Sequence, residues 1–424
     1  MSEYHSMWSE LALDLDRHDG LLAAVGPAYE SVFLSQPDRP KAMEYFDFVV
    51  GEVHGLRIQE LVEHRRKGGI VVGAFCVFAP EDLILAVGGV PVGLCAGADF
   101  AIPDAEQFLP RNTCALIKAA LGFKLAAVCP YFECCDLVVG ETTCDGKKKM
   151  YEILADHHPS YVMEVPQRKT DQGRALFLEE VRQFGSRLEE LSGGRIEAEH
   201  LRHAIEVVHA KKRALQRVAR ARRARPSPIS GLDALLVSQV SFYDDYPRFT
   251  EKTDALAQEI EARVAAGQGV APADAPRVVI AGTPAAFPYW KVTQLLTDAG
   301  AVVVGEESCV GSRYYDTMTR ANDGTRDGQL EAIASRLLDT HCACFTPNED
   351  RTEDIIRVVR ETQADGVVQS VLQFCQTYAT ESYLVERALE EAGIPSIEIE
   401  TDYSTEDTER LRTRIEAFVE MLRQ

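Results

Sequence analysis

The sequence predicts an α/β protein in which two doubly wound parallel sheets are separated by a long helical segment. In two regions of the chain, short apolar runs rich in Val, Ile and Ala are bounded by Gly or Pro and alternate with helical patterns. This arrangement is typical of parallel strands that are covered on both faces. A length of 424 residues with 46% hydrophobic content also allows at least two domains.

Each apolar run predicts one strand. In the first region the predicted strands are 69–75, 90–95, 125–129, 137–143 and 161–166. In the second region they are 277–282, 301–307, 366–374 and 396–402. From this order we predict an N-terminal helical segment, a first α/β lobe, a helical connecting segment, and a second α/β lobe with a C-terminal helix. The corresponding boundaries are 1–68, 69–170, 171–270 and 271–424.

The connecting segment contains a basic stretch, residues 200–226, which could suggest an RNA-binding arm. Within it, Ile205, Val208, Leu215 and Val218 recur at helical spacing. This periodicity predicts instead an amphipathic helix that keeps its cations on the outer, solvated face.

The overall charge is acidic, because Lys and Arg number 45, Asp and Glu number 66, and the formal net charge is -21. Binding to nucleic-acid phosphates needs surplus cations, so this charge disfavours nucleic acid as a partner. The N-terminus has no basic start followed by an apolar run, and no apolar segment approaches the roughly 20 residues of a membrane span. We therefore expect a cytoplasmic protein that binds neither nucleic acid nor membranes.

The chain contains 11 cysteines. Cytosolic thiols stay reduced, and they are more often buried, metal-bound or catalytic than paired in disulfides. None of these cysteines forms a CxxC pair, although Cys134 and Cys135 are adjacent and Cys342 and Cys344 are two apart. Because the usual local zinc spacings are absent, any metal site must be assembled from distant parts of the fold.

A repeated pattern places four cysteines at equivalent positions of the two α/β regions. The sequence LILAVGGVPVGLC, which ends at Cys95, resembles LLTDAGAVVVGEESC, which ends at Cys309. Similarly, CDLVVGETTC, which ends at Cys144, resembles ADGVVQSVLQFC, which ends at Cys375. All four cysteines thus lie at or just after the carboxyl end of a predicted strand, the edge at which open α/β sheets bind ligands.

Other cysteines are placed by their neighbours. Cys144 precedes a predicted helix with Asp145 at or near its cap, and Cys114 precedes another that Asn112 or Thr113 can cap. Free backbone N–H groups and the positive dipole end at a helix start favour a thiolate or an anionic cluster. Cys129 is expected just beyond a short strand that a proline ends. The alternative for each is a small buried hydrophobic side chain.

Several sequence blocks carry a resemblance to one family. They are LPRNTC, CDLVVGETTCDGKKKMYEIL, VPQ at 165–167, PISG at 228–231, DGVVQ, QFCQTY and the C-terminal IETDYSTEDTERLRTRIEAFVEML. In this order, from about residue 69 onward, they resemble the 2-hydroxyacyl-CoA dehydratase D-component superfamily. Within it the chain is most similar to the double-cubane cluster proteins, which are low-potential reductases of anaerobes.

The resemblance implies two flavodoxin-like lobes that hold a [4Fe-4S] cluster between them through three cysteines. The matching positions are Cys114, Cys144 and Cys375. Double-cubane proteins carry an [8Fe-9S] cluster, two cubanes joined by a bridging sulfide, which requires about three further thiolates. The candidates for these are Cys129, Cys309 and Cys342, with Cys95, Cys344 and Cys76 in reserve.

The function implied is that of an iron–sulfur reductase component, an oxidoreductase that transfers low-potential electrons to a small molecule. The electrons would come from a separate ATP-hydrolysing activator protein with its own [4Fe-4S] cluster, and the chain itself would be a homodimer. In agreement, the chain contains no GxxxxGK[ST] phosphate loop. Two alternatives stay open: a subunit of an (R)-2-hydroxyacyl-CoA dehydratase, a lyase with one [4Fe-4S] cluster that acts by ketyl-radical elimination, and an electron-storage or scaffold protein.

Two other polar residues are candidates for catalysis. Glu141 lies on the strand before Cys144, where a buried ion pair with Lys147 or Lys148 is the alternative to a role as proton donor. His341 precedes Cys342 and could be a ligand or a proton relay, but a lone histidine is more often structural.

Overall fold

The computed structural model describes residues 3–320 and 323–424. The chain begins with a helical segment that packs against the first lobe. Its helices are α1 (His5–Glu10), α2 (Leu15–Tyr29, extended by a π-helical turn at Glu30–Leu34), α3 (Met43–Gly51) and α4 (Leu56–Arg66). Within the described ranges, no helix is both long enough and apolar enough to cross a membrane.

The first lobe alternates strands and helices. Its elements are β1 (Val71–Ala74), α5 (Glu81–Ala86), β2 (Val90–Gly93), α6 (Ile102–Ala105), α7 (Ala115–Leu125), α8 (Pro130–Cys134), β3 (Leu137–Glu141), α9 (Asp145–Leu154) and β4 (Ser160–Met163). The strands are parallel and lie in the order β2-β1-β3-β4.

Four helices connect the lobes. They are α10 (Asp171–Ser192), α11 (Ala198–Ala221), α12 (Gly231–Val240) and α13 (Tyr246–Ala265). In α11 the apolar residues at helical spacing are buried as predicted, but Lys211 and Lys212 are buried as well. The expectation that the cations lie on the solvated face is wrong at these two positions, because α11 packs against α5, α13 and the second lobe together.

The second lobe repeats the topology of the first. Its elements are β5 (Arg277–Gly282), α14 (Lys291–Asp298), β6 (Val302–Glu307), α15 (Ser312–Tyr315), α16 (Arg326–Leu338), α17 (Glu349–Thr362), β7 (Gly366–Leu372), α18 (Gln376–Glu391), β8 (Ser396–Thr401) and α19 (Thr408–Leu422). The parallel strand order is β6-β5-β7-β8. The two sheets confirm the predicted α/β class with two doubly wound lobes.

The predicted strand at 125–129 is wrong. Helix α7 continues to Leu125, a turn with Ala127 at φ 50° follows, and Pro130 opens helix α8 instead of ending a strand. Val128 is fully buried in the turn. A short apolar run cannot be distinguished from a buried helix end by periodicity, and proline is favoured at the first position of a helix.

One hydrophobic core joins the N-terminal helices, the first lobe, α12 and the second lobe. A second core packs the other face of the first sheet against α10, α11 and α16. Strands β3, β5, β6 and β7 are buried along their whole length, as expected for parallel strands with helices on both faces. The shared core fixes the carboxyl edges of the two sheets relative to each other.

Candidate functional site

A cavity of about 560 Å³ lies between the lobes, and we call it the interlobe cavity. The segments that follow β1, β2, β3, β6 and β7 line it, and the helical connecting segment closes one side with residues such as Gln239 and Phe242. It therefore occupies the carboxyl edges of both sheets, where doubly wound folds bind ligands. Eight of the 11 cysteines line this cavity: Cys76, Cys95, Cys114, Cys144, Cys309, Cys342, Cys344 and Cys375.

The first cysteine group consists of Cys114, Cys144 and Cys375. Each is the N-cap residue of a helix, namely α7, α9 and α18. The Cys144 Sγ accepts a hydrogen bond from the backbone N–H of Lys147 at 3.5 Å. The neighbouring Cys375 thiol lowers the pKa of Cys114 to about 7, and the N–H groups of the first turn of α7 act in the same direction. Burial raises the pKa of Cys144, and the Cys114 thiol raises the pKa of Cys375. The three helix N-termini that meet here thus favour one thiolate, at Cys114.

The second cysteine group consists of Cys76, Cys309, Cys342 and Cys344. Cys76 follows β1 of the first lobe, whereas Cys309 follows β6 and the other two lie between α16 and α17 of the second lobe. The Cys76 thiol lowers the pKa of Cys309, and the Cys344 thiol lowers the pKa of Cys342 to about 6. The positive charge of Arg313 lowers the pKa of both thiols further.

Arg313 is held rigidly beside the second group. Its Nη1 lies 3.6 Å from the Cys309 Sγ and donates to the Tyr378 hydroxyl, and its Nε donates to Glu307 Oε1 at 2.7 Å. The hydroxyl of Tyr378 lies 3.9 Å from the Cys342 Sγ. Arg351 binds the second oxygen of Glu307 at 3.0 Å. This buried network fixes a positive charge against two thiols.

One cation lines the cavity beside the first group. Lys147 lines the cavity and forms an ion pair with Glu141, whose other oxygen accepts a hydrogen bond from Tyr151 at 3.0 Å. Lys148 pairs instead with Asp145. Burial would lower the pKa of Lys147, but the carboxylate of Glu141 raises it well above its usual value. The sequence left two roles open for Glu141, a buried ion pair with a lysine or proton donation. The structure shows the ion pair, with Lys147.

The remaining predicted residues lie apart from these groups. Cys95 lines the cavity, but its Sγ donates to the Phe75 carbonyl at 3.1 Å. Cys129 is the N-cap residue of α8 and does not line the cavity, and burial raises its pKa to about 11. His341 also lies outside the cavity lining, with its Nδ1 3.6 Å from Asp354.

The 2-hydroxyglutaryl-CoA dehydratase, D-component family model matches residues 76–422. The chain belongs to this family. It is 38% identical to "Putative dehydratase subunit YjiM" of Escherichia coli (strain K12), over 85% of this chain and 94% of that one. It is 26% identical to the (R)-phenyllactyl-CoA dehydratase beta subunit of Clostridium sporogenes, over 85% of this chain and 94% of that one. A subunit of the benzoyl-CoA reductase of Thauera aromatica is 20% identical, over 83% of this chain and 91% of its own.

Membership in the dehydratase D-component family makes the chain an enzyme component, and its cysteines can be tested against an iron–sulfur cluster. Within the described ranges, no three His, Cys, Asp or Glu side chains converge on a point that would hold a single metal ion. A cubane differs from a single ion because each thiolate binds a different iron, so its ligands surround a shared volume. Soft thiolates and nearby helix N–H groups around the interlobe cavity fit such a group.

Sequence reasoning missed two features of this family member's site. Cys114 and Cys144 are themselves the N-cap residues, where Asn112, Thr113 or Asp145 had been expected. Arg313 was not singled out, because nothing in CVGSR, residues 309–313, indicates that the arginine folds back onto Cys309. Its position shortly after a strand-end cysteine was the one available signal.

Proposed function

We propose that this chain is an iron–sulfur reductase component that carries a double-cubane [8Fe-9S] cluster and reduces a small molecule with low-potential electrons. The observation that supports this function best is the pair of separate cysteine groups on one cavity, each with at least three thiols. One [4Fe-4S] cluster would use only one of the groups. The second group has no role in a one-cluster site.

The proposed ligands of the first cubane are Cys114, Cys144 and Cys375. Those of the second are Cys76, Cys309 and Cys342, with Cys344 and Cys95 as further candidates. We propose Cys76 as a ligand of the second cubane instead of Cys129. Cys76 lines the cavity and faces Cys309, whereas Cys129 lies outside the cavity lining at the start of α8. When bound, the cluster supplies single electrons of low potential to a substrate in the cavity.

The chain's own residues would hold the charge of such an anionic group. The helix N-termini at Cys114, Cys144 and Cys375 offer backbone N–H groups, and Arg313 and Lys147 offer fixed positive charges. Both cations keep buried carboxylate partners, Glu307 and Glu141, so they are present whether or not a ligand is bound. This preorganisation avoids a rearrangement when electrons arrive.

The lining of the cavity favours a small uncharged substrate. Among its described residues, Lys147 is the only Lys or Arg, and it is already paired with Glu141. Aromatic and aliphatic side chains such as Phe242, Phe287 and Ile84 form much of the remaining wall. The phosphates of a coenzyme A tail would find no free cation among these described lining residues, so a small molecule with a multiple bond suits the cavity better.

The proposed electron donor is a separate ATP-hydrolysing activator protein with its own [4Fe-4S] cluster. The absence of a GxxxxGK[ST] loop supports ATP hydrolysis by a partner. The relatives named above are described as subunits, which supports an assembly of more than one chain. We propose a homodimer.

The second candidate is a subunit of an (R)-2-hydroxyacyl-CoA dehydratase, with one [4Fe-4S] cluster at Cys114, Cys144 and Cys375. It is favoured by the names of the relatives, two of which are dehydratase subunits. In this case the second cysteine group would be structural.

Turnover separates the two candidates. With purified activator, ATP and a low-potential reductant under anaerobic conditions, we expect the chain to convert propyne to propene over many cycles, measured by gas chromatography. We expect no dehydration of (R)-phenyllactyl-CoA under the same conditions. Dehydration without propyne reduction would favour the second candidate, and consumption of a single electron load without turnover would indicate a storage protein.

A further inference from the structure

A buried charge network forms one wall of the interlobe cavity, apart from the cysteines. Its centre is Glu81 at the first position of α5, a residue that lines the cavity. Its Oε2 accepts hydrogen bonds from the hydroxyls of Tyr246 at 2.6 Å and Tyr314 at 2.9 Å. Both tyrosines also line the cavity. The first lobe, the connecting segment and the second lobe therefore meet at one carboxylate.

Lys211 lies directly behind this wall and is fully buried. Its Nζ lies 3.4 Å from Glu81 Oε2, and it is surrounded by the rings of Tyr246, Tyr314 and Phe242 at 3.5, 4.8 and 5.8 Å from their centroids. The contact with Glu81 is longer than the roughly 2.7–2.9 Å of a strong charge-assisted hydrogen bond. The aromatic rings thus hold the ammonium together with Glu81, and the ammonium lies one side chain away from the cavity.

We propose that Glu81 is the proton-donating group for substrates reduced in this cavity and that Lys211 supplies its protons. This inference rests on the proposed function, because only a reduction consumes protons here. The tyrosine hydroxyls position the carboxyl group and stabilise its charge between transfers.

The proton balance of one cycle is simple. A Lys211 N–H bond breaks and an O–H bond forms on Glu81, which turns an ion pair into two neutral groups. The Glu81 O–H bond then breaks as a C–H bond forms on the substrate. For propyne, two electrons from the external low-potential reductant and two protons give propene. Solvent returns a proton to Lys211 after each transfer.

The charges around the pair favour the ion pair at rest, so Glu81 holds the proton only briefly, as the substrate takes it up. Burial lowers the pKa of Lys211 to about 8, so the ammonium can release a proton near neutral pH. Burial alone would raise the pKa of Glu81, but the facing cations lower it to about 2, so the carboxylate is charged at rest. The charged and titratable groups that face this pair are Asp82, Lys212, Asp244, Tyr246, Tyr314 and Arg336.

The adjacent Lys212 provides a matched control. It is buried like Lys211, but its Nζ donates to the backbone carbonyl of Thr317 at 3.1 Å instead of to Glu81. Burial also lowers the pKa of Lys212, to about 7. A Lys→Arg change at either position therefore fixes a positive charge, because a guanidinium does not release its proton at neutral pH. The two variants therefore differ in proton supply to Glu81.

The test is the pH dependence of propyne reduction by the complete protein with excess activator. In the unmodified protein the rate should fall as the pH rises through about 8, because Lys211 then loses its proton. Lys211→Arg should lower the rate at least about tenfold and abolish this alkaline decline, since general acids contribute at least that much. Glu81→Gln should do the same, whereas Lys212→Arg should keep the rate within about twofold and retain the decline.

A solvent deuterium isotope effect gives an independent readout. Proton transfer should become slower and dominate the rate in Lys211→Arg, so the isotope effect should increase in that variant and stay unchanged in Lys212→Arg. Variants that lose only thermal stability and keep the unmodified pH profile would overturn the inference. If the unmodified protein reduces no propyne at all, the proposed function itself has failed, which is a distinguishable result.

Discussion

Cys309→Ser is expected to remove about half of the iron and all of the propyne reduction, whereas Cys129→Ser should leave both unchanged. Cys309 faces Cys76 and Arg313 in the interlobe cavity, but Cys129 lies outside the cavity lining as the N-cap residue of α8. Both changes replace a thiol by a hydroxyl, so they test the position of the side chain and not its chemistry. Iron, acid-labile sulfide and turnover should be measured on anaerobic samples of each variant.

The same pair of variants discriminates between the two assignments of the second cubane. Equal iron in the Cys309→Ser variant and the unmodified protein would contradict the proposed second group. Loss of iron in Cys129→Ser would instead support the ligand set expected from the sequence alone.

Arg313→Met should lower the free energy of unfolding by about 3 kcal/mol, because removing one partner of a buried ion pair leaves the other charge uncompensated. Arg313 and Glu307 are both almost completely buried, with side-chain exposures of 1% and 0%. The remaining Arg351 contact with Glu307 limits the loss. Urea unfolding of the protein measures this difference.

Arg111→Met is the control for this stability change. Its side chain is 92% exposed and lies 3.6 Å from Glu106, so its loss should change the unfolding free energy by less than about 0.5 kcal/mol. Similar effects of the two substitutions would show that the Arg313 network is not a buried electrostatic unit.

The topology was accessible from the sequence because the buried parallel strands form continuous apolar runs. The runs around β5, β6 and β7 could not be confused with half-exposed strands, since every residue in them is buried. The apolar run at 125–129 led to the wrong prediction of a strand. Its residues are apolar because the end of α7 and the following turn pack into the hydrophobic core. The periodicity of the apolar residues in α11 could not predict that Lys211 and Lys212 are buried. Their burial depends on how the two lobes pack against this helix.

The sequence could predict some of the cysteines in the site but not others. Cys144 and Cys375 could be paired by the repeat, since they follow the equivalent strands β3 and β7 of the two sheets. Cys95 and Cys309 likewise follow β2 and β6, but Cys95 donates to a backbone carbonyl whereas Cys309 faces another thiol. The contact between Cys76 and Cys309 crosses the lobe interface, so no local sequence pattern could indicate it.

The most direct test of the account is the iron and acid-labile sulfide content of the unmodified protein, purified without oxygen. Two cysteine groups on one cavity predict about eight irons per chain. About four irons, lost completely in Cys144→Ser and unchanged in Cys309→Ser, would contradict the double-cubane proposal. This result would favour the second candidate, a dehydratase subunit with one [4Fe-4S] cluster.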